Sequence, residues 1–214
     1  MRLPAACLFD LDGLLLDTEP LHGQAWQEAA RHFGAELSEA QLRQLRGRRR
    51  LDCAEQVRQL LPRPVSVAEL LAVRQPIAER LLAHAPAMPG AEHLVRHCLE
   101  LGIPMALATS SAAASVALKA APHPWLALIG VRIHGDDPEL RAGKPAPDIF
   151  QLAARRLGVP ASACWAFEDS LAGCQAALAA GCRVHVLPPP GEDCQAYPPQ
   201  AVCLPSLAAV TFPS

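Results

Sequence analysis

Five short apolar runs punctuate the chain: AACLF (5–9), PMALAT (104–109), LIGVRI (128–133), CWAF (164–167) and RVHVL (183–187). The runs are short, and turn residues or helical patterns separate them, so they read as buried strands of a parallel sheet. Between the runs the period lengthens. From Ala91 onward, Leu94, Val95, Cys98 and Leu99 share one stripe that stops at Gly102, a helix-ending residue. Residues 147–157 form a second helical pattern, with Pro147 suited to its first turn and Gly158 at its end. A third spans 171–180 and closes at Gly181. Strands alternating with helices predict an α/β fold, a Rossmann-like doubly wound parallel sheet.

Between the first and second strands lie roughly seventy residues with no strand pattern. Ser38 with Gln41 and Ser66 with Glu69 are two capping boxes, and Val67, Leu70, Leu71, Ile77 and Leu81 recur at helical spacing. The stretch is too long for a crossover and too regular for a loop. The expectation is a small helical bundle, residues 16–86, inserted into an α/β domain made of residues 1–15 and 87–214. Beyond residue 187 the chain becomes proline-rich (PPPGEDCQAYPPQ) before a last apolar stretch at 200–204, and no helix is predicted there.

A formal net charge of -2 gives no global attraction to nucleic acid or to anionic membranes. Aromatic residues at 4% are too few for base-stacking platforms. The eight cysteines include no CxxC pair and several sit in apolar runs, so free thiols in a reducing compartment are expected rather than a disulfide or zinc framework. Asp10 and Asp12 interrupt the apolar start before it reaches signal-peptide length. A soluble cytoplasmic protein follows, and nothing demands more than a monomer.

The chemistry begins at FDLDGLLLDTEP, residues 9–20. Asp10 and Asp12 leave the carboxyl end of a buried strand two residues apart, on the same side, where open α/β sheets bind ligands. Two such acids call for a divalent cation or a shared proton. Asp-x-Asp-Gly is also ordinary turn chemistry. The other strand ends add weight: Thr109, Ser110 and Ser111 after PMALA, Lys144 in GKPAPDIF, and Glu168 with Asp169 in CWAFEDS. Singly these read as a helix cap, a surface lysine and an acid pair at a helix start. Together, hard oxygen ligands, a cation and a hydroxyl on one rim match phosphoryl transfer with Mg²⁺.

In this order and spacing the four segments resemble the four motifs of the haloacid dehalogenase-like superfamily. The insert after the first motif resembles the subclass with a helical cap, the β-phosphoglucomutase-like phosphatases. MPGAEHL, GIPMALATSS and GDDPELRAGKPAPDIF look most like sugar-phosphate and nucleotide-type phosphatases, including those of the pseudouridine-5′-phosphatase kind. The resemblance runs to about residue 187. It implies Asp10 as nucleophile, Asp12 as general acid and base, Thr109 as donor to the phosphoryl oxygens, and Lys144 as their counter-charge. It implies Mg²⁺ on the Asp10 carboxylate, the Asp12 backbone carbonyl and Asp169, with Glu168 close by. An acid at Asp12 favours leaving groups that need a proton, hence C–O–P esters of a small phosphorylated metabolite. Thr18 and His22 fall at the hinge, Gly47 and Arg50 in the cap loop, and Ser110 beside Thr109, as substrate-side candidates. The run Arg46 to Arg50 also reads as a solvated basic helix end. His93 and His97 have a metal-pair spacing without a third ligand and are read as helix-edge residues. A phosphomutase using the same residues, and a binding protein retaining the fold, are the competing readings.

Overall fold

The computed structural model describes residues 3–45, 48 and 50–213. Six strands form one parallel sheet: β1 (Ala6–Phe9), β2 (Met105–Ala108), β3 (Val131–Ile133), β4 (Cys164–Glu168), β5 (Arg183–Val186) and β6 (Val202–Cys203). Their order is β3-β2-β1-β4-β5-β6. The helices are α1 (Glu19–His32), α2 (Glu39–Leu45), α3 (Arg50–Arg58), α4 (Val67–Leu82), α5 (Ala91–Glu100), α6 (Ala113–Ala120), α7 (Asp148–Arg156) and α8 (Leu171–Ala179).

Both faces of the sheet are covered, and the strand residues divide between two apolar layers. Cys7, Phe9, Met105, Leu107, Trp165 and Phe167 enter one core with Leu94, Val95 and Cys98 of α5. Their neighbours Ala6, Leu8, Ala106, Cys164 and Ala166 enter the other, with Ile149 and Phe150 of α7 and Cys174 and Ala177 of α8. The two-residue period of a strand thus divides each run between two apolar layers. The three tryptophans are buried, Trp125 and Trp165 against the sheet and Trp26 among the inserted helices.

Helices α1 to α4 have an apolar core of their own, with Trp26, Phe33, Leu45, Val57 and Leu70. Both capping boxes form. Ser66 and Glu69 satisfy each other's backbone N–H groups at the start of α4, and Ser38 and Gln41 do the same before α2. His93 and His97 stack at 6.1 Å along α5, and His97 faces Glu100 and Phe212.

Two expectations change. The tail after residue 187 adds a sixth strand, Val202 and Cys203 pairing with His185 and Val186. It also brings Cys203 to Cys194, Cα to Cα 6.1 Å, and the two form a disulfide, so the free-thiol expectation fails at this pair. A Cα separation of this size is one that a disulfide can span, but the turn that creates it is irregular and leaves no periodic trace in sequence. The other six cysteines are buried free thiols. Among the described residues no helix is long and apolar enough to cross a membrane.

Candidate active site

The strand order sets the site. The chain builds the sheet outward from β1 through β2 to β3, then returns to the other side of β1 with β4. Connections leave in opposite directions at that point, which opens a crevice at the carboxyl ends of β1, β2 and β4. Phe9 pairs with Phe167, and the Asp10 N–H donates to the Phe167 carbonyl at 3.0 Å, so Asp10 lies beside Glu168. Thr109 follows β2 directly and is buried.

Two glycines make room for the acids. Gly13 adopts φ +82°, a left-handed turn, and a Cβ there would lie 2.0 Å from Oδ2 of Asp169. At Gly173, in the first turn of α8, a Cβ would lie 2.0–2.1 Å from the Glu168 carboxyl atoms. Asp10, Glu168 and Asp169 are buried, and each offers one carboxylate oxygen within 4.8 Å of the others. Lys144 Nζ donates to Asp10 Oδ1 at 2.6 Å and to Glu168 Oε1 at 2.5 Å. Were all three acids ionised, as ligands to a cation would be, this one ammonium would leave two negative charges in excess. Burial pushes the Asp10 carboxyl up to about 7, against the pull of Lys144 and with Glu168 and Asp12 adding to the rise. Burial, then Asp10 and Glu168, raise Asp169 well above the carboxylate range. Burial works against the Lys144 ammonium, but Asp10 and Glu168 outweigh it and hold the group charged. An all-oxygen donor set with a double negative excess fits a hard divalent cation. Tyr197 Oη steadies this wall by donating to the Asp169 carbonyl at 2.7 Å.

Asp12 lies in a separate cradle. Thr18 Oγ1 donates to its Oδ1 and Ser111 Oγ to its Oδ2, both at 2.7 Å. Lys119 Nζ reaches Oδ1 at 2.6 Å and Oδ2 at 2.7 Å. Burial alone would raise this acid, but Lys119 and then His22 hold it well below the usual carboxylate range. His22 Nε2 lies 3.4 Å from Asp12 Oδ1, and Arg74 Nη2 lies 2.9 Å from His22 Nδ1. A guanidinium can only donate, so Nδ1 accepts and Nε2 carries the proton facing Asp12. Arg74 itself is buried over Trp26, 4.5 Å to the ring centroid, and burial, with Arg50 nearby, lowers it to about 10.

The crevice therefore gathers Asp10, Asp12, Thr109, Lys144, Glu168, Asp169, Thr18 and His22. Ser110 is half-buried beside them, its carbonyl packed against Gly135. Arg50 is exposed at the start of α3 and donates to Gln75. Gly47, with Arg46 and Arg49, lies outside the described residues. Lys119 and Arg74 are site neighbours that motif reading did not single out, and Ser111, noted there among the hydroxyls after β2, is the one of those hydroxyls that reaches Asp12. Arg74 did leave a signal: it occupies the buried stripe Leu70, Arg74, Ala78 and Leu82 of α4. Lys119 likewise shares the buried side of α6 with Val116.

The family model of haloacid dehalogenase-like hydrolases matches residues 4–181. The chain belongs to this family. The hydrolase is 40% identical over 194 residues to a Drosophila melanogaster protein named as a probable pseudouridine-5′-phosphatase, covering 89% of this chain and 84% of that one. It is 32% identical over 192 residues to (DL)-glycerol-3-phosphatase 2 of Arabidopsis thaliana, covering 87% and 80%. In three dimensions it resembles CbbY from Rhodobacter sphaeroides, solved in complex with phosphate, with a TM-score of 0.81, 28% identity and coverage of 97% and 96%. A variant of CbbY has also been solved with xylulose-(1,5)bisphosphate. The hydrolase is an enzyme, a phosphoric monoester hydrolase.

Proposed function

We propose that this hydrolase is a Mg²⁺-dependent phosphatase of a small phosphorylated metabolite, a sugar phosphate or a nucleotide-like monoester, acting through an aspartyl phosphate on Asp10. The observation that carries this reading is the separation of the two aspartates into different surroundings. Asp10 sits with Lys144 and the acids that suit a cation, whereas Asp12 sits apart with donors of its own. Two carboxyl groups in distinct environments suit distinct roles.

In the first half-reaction an Asp10 oxygen attacks phosphorus, the bond to the leaving oxygen breaks, and Asp12, which must enter the step protonated against the pull of Lys119 and His22, gives that oxygen its proton. In the second, Asp12 takes a proton from water as the water oxygen attacks phosphorus, releasing inorganic phosphate and the Asp10 carboxylate. Thr109 accepts the Ser111 N–H at 3.1 Å, which leaves its own proton to donate to a phosphoryl oxygen. Lys144 balances the charge on the transferring group and keeps Asp10 aimed. Asp10, Asp169 and the Asp12 carbonyl would hold Mg²⁺, with Glu168 beside them. When bound, the ion supplies positive charge to the phosphoryl oxygens.

Residues 16–86 act in this reading as a cap over the bound phosphate, excluding water and choosing the ester. Thr18 and His22 contribute from the hinge, Gly47 and Arg50 from the cap loop, and Ser110 from the floor. The enzyme would work as a cytoplasmic monomer without nucleic-acid or membrane partners, in keeping with its small net charge.

Asp10→Asn tests the reading. The variant is expected to release no inorganic phosphate from any ester in a screen of sugar phosphates, nucleotides and modified nucleotides with Mg²⁺. Activity comparable to wild type would overturn it, and isomerisation of a sugar phosphate without phosphate release would mark a mutase instead.

A further inference from the structure

Lys119 is fully buried, yet it carries a charge on a helix whose other buried residue is Val116. An ammonium has three protons to donate and no acceptor. All three are directed to one place: Asp12 Oδ1 at 2.6 Å, Asp12 Oδ2 at 2.7 Å and Ser111 Oγ at 2.8 Å. Ser111 in turn donates to Asp12 Oδ2, so two of the three contacts are direct and the third passes through a hydroxyl that touches the same carboxylate. Packing alone would be served by a methionine, which fills the same stem volume without stripping an ammonium of water. No packing need accounts for the charge.

The cradle joins two parts of the fold. Lys119 and Ser111 come from the segment after β2, and Thr18 and His22 from the segment that enters the inserted helices. Thr18 and Lys119 both hold Oδ1, and Ser111 and Lys119 both hold Oδ2. A carboxylate has about four lone-pair sites, so these contacts fix both its position and the plane of its two oxygens. Among the four groups only Lys119 bonds both oxygens.

We infer that Lys119 is a positioning residue for proton transfer: through its bidentate contact with Asp12 and its bridge to Ser111, it sets where Asp12 meets the leaving oxygen. The inference rests on the reading of Asp12 as general acid. It assigns Lys119 no contact with substrate. Its effect must therefore depend on how much the leaving group needs a proton.

The test compares kcat/KM for an alkyl phosphate and for 2,4-dinitrophenyl phosphate in wild type, Lys119→Met, Asp12→Asn and the double variant, with Mg²⁺ throughout. General acid catalysis contributes about 10²- to 10⁴-fold where the leaving group is poor. Lys119→Met is expected to lose roughly 10- to 100-fold on the alkyl ester and less than about threefold on the dinitrophenyl ester, with no further loss when added to Asp12→Asn. Equal losses on both esters, or none on either, overturn the inference while leaving Asp12 in its role. A loss in Asp12→Asn that is the same on both esters overturns the general-acid reading itself. Ser111→Ala keeps the lysine and removes only the bridging hydroxyl. It is expected to show the same ester dependence in smaller measure, and uniform kinetics in a folded Ser111→Ala would overturn the inference even if Lys119→Met failed to fold.

Discussion

Replacing Gly173 with alanine sets local propensity against the space the site requires. Gly173 lies in the first turn of α8, its N–H donated to the Ser170 side chain, and its backbone is one that alanine adopts readily. Helix propensity alone favours alanine by about 1 kcal/mol. The added Cβ would meet Cδ of Glu168 at 2.0 Å and both its oxygens at 2.1 Å, so the carboxylate must retreat by about 1 Å to reach even the 3.0 Å below which real Cβ contacts essentially never occur. Its backbone cannot follow, because Glu168 is a strand residue whose carbonyl accepts the Leu187 N–H at 2.8 Å. The side chain is fully buried and bonded to Lys144 and Ser170, so retreat breaks a buried ion pair. Breaking such a pair typically costs about 3–5 kcal/mol. Less the helix gain, about 2–4 kcal/mol of destabilisation remains, or roughly 4–16 °C in Tm at about 2–4 °C per kcal/mol for a chain of this size. Activity is expected to fall about 10²-fold or more, because Lys144 loses one of the two acids that aim it. Thermal unfolding and phosphate release titrated with Mg²⁺ measure both effects. A Gly173→Ala protein as stable as wild type, with kcat/KM within about threefold, would refute the claim that this gap seats Glu168.

The raised carboxyls of Asp10 and Asp169 predict how a divalent cation stabilises the protein. Folding holds these groups protonated above their unfolded range, so without a cation stability falls as pH rises from about 4 towards 7, where Asp10 ionises. A cation competes with those protons, so Mg²⁺ should raise Tm more at pH 8 than at pH 5, and an equal or smaller rise at pH 8 would contradict the assignment of the acid group. His185 gives an acid-side prediction of its own. It is buried against Trp165 and Phe167, its Nδ1 without a hydrogen-bond partner among the described residues, and burial lowers it from 6.5 to about 4. Its neutral form is the folded one, so its contribution is intact above pH 6.5 and is lost as pH falls towards 4, at most about 3 kcal/mol at roughly 1.4 kcal/mol per pH unit. His185→Phe should therefore flatten the loss of stability between pH 6.5 and pH 4 in urea unfolding, and an unchanged pH slope would count against this origin.

Much of this architecture is visible in the chain because its causes are local. Continuous apolar runs mark strands covered on both faces, and Ser66 with Glu69 marks the start of α4 by a bond spanning one turn. The acids, the hydroxyls and Lys144 could be assigned to one rim, since residues following parallel strands emerge at the same edge of a sheet. Helix α6 escaped notice because it is short and its N-cap residue is Ala112, whose side chain cannot cap it. The sixth strand and the Cys194–Cys203 disulfide depend on a proline-rich turn whose path no periodicity encodes.

The partners of each functional group are the part that required three dimensions. The structure puts Lys119 on the buried side of α6 and Arg74 on the buried stripe of α4, neither of which the apolar periodicity of the chain had marked. That Lys119 meets Asp12, a residue 107 positions earlier, follows from β2 lying next to β1 in the sheet. That Gly13 and Gly173 leave space for Asp169 and Glu168 follows from the order in which β4 returns to β1. Hydrogen-bond chemistry requires only that a buried charge have a partner. Strand order and register choose which one, because they bring together side chains that the sequence keeps far apart.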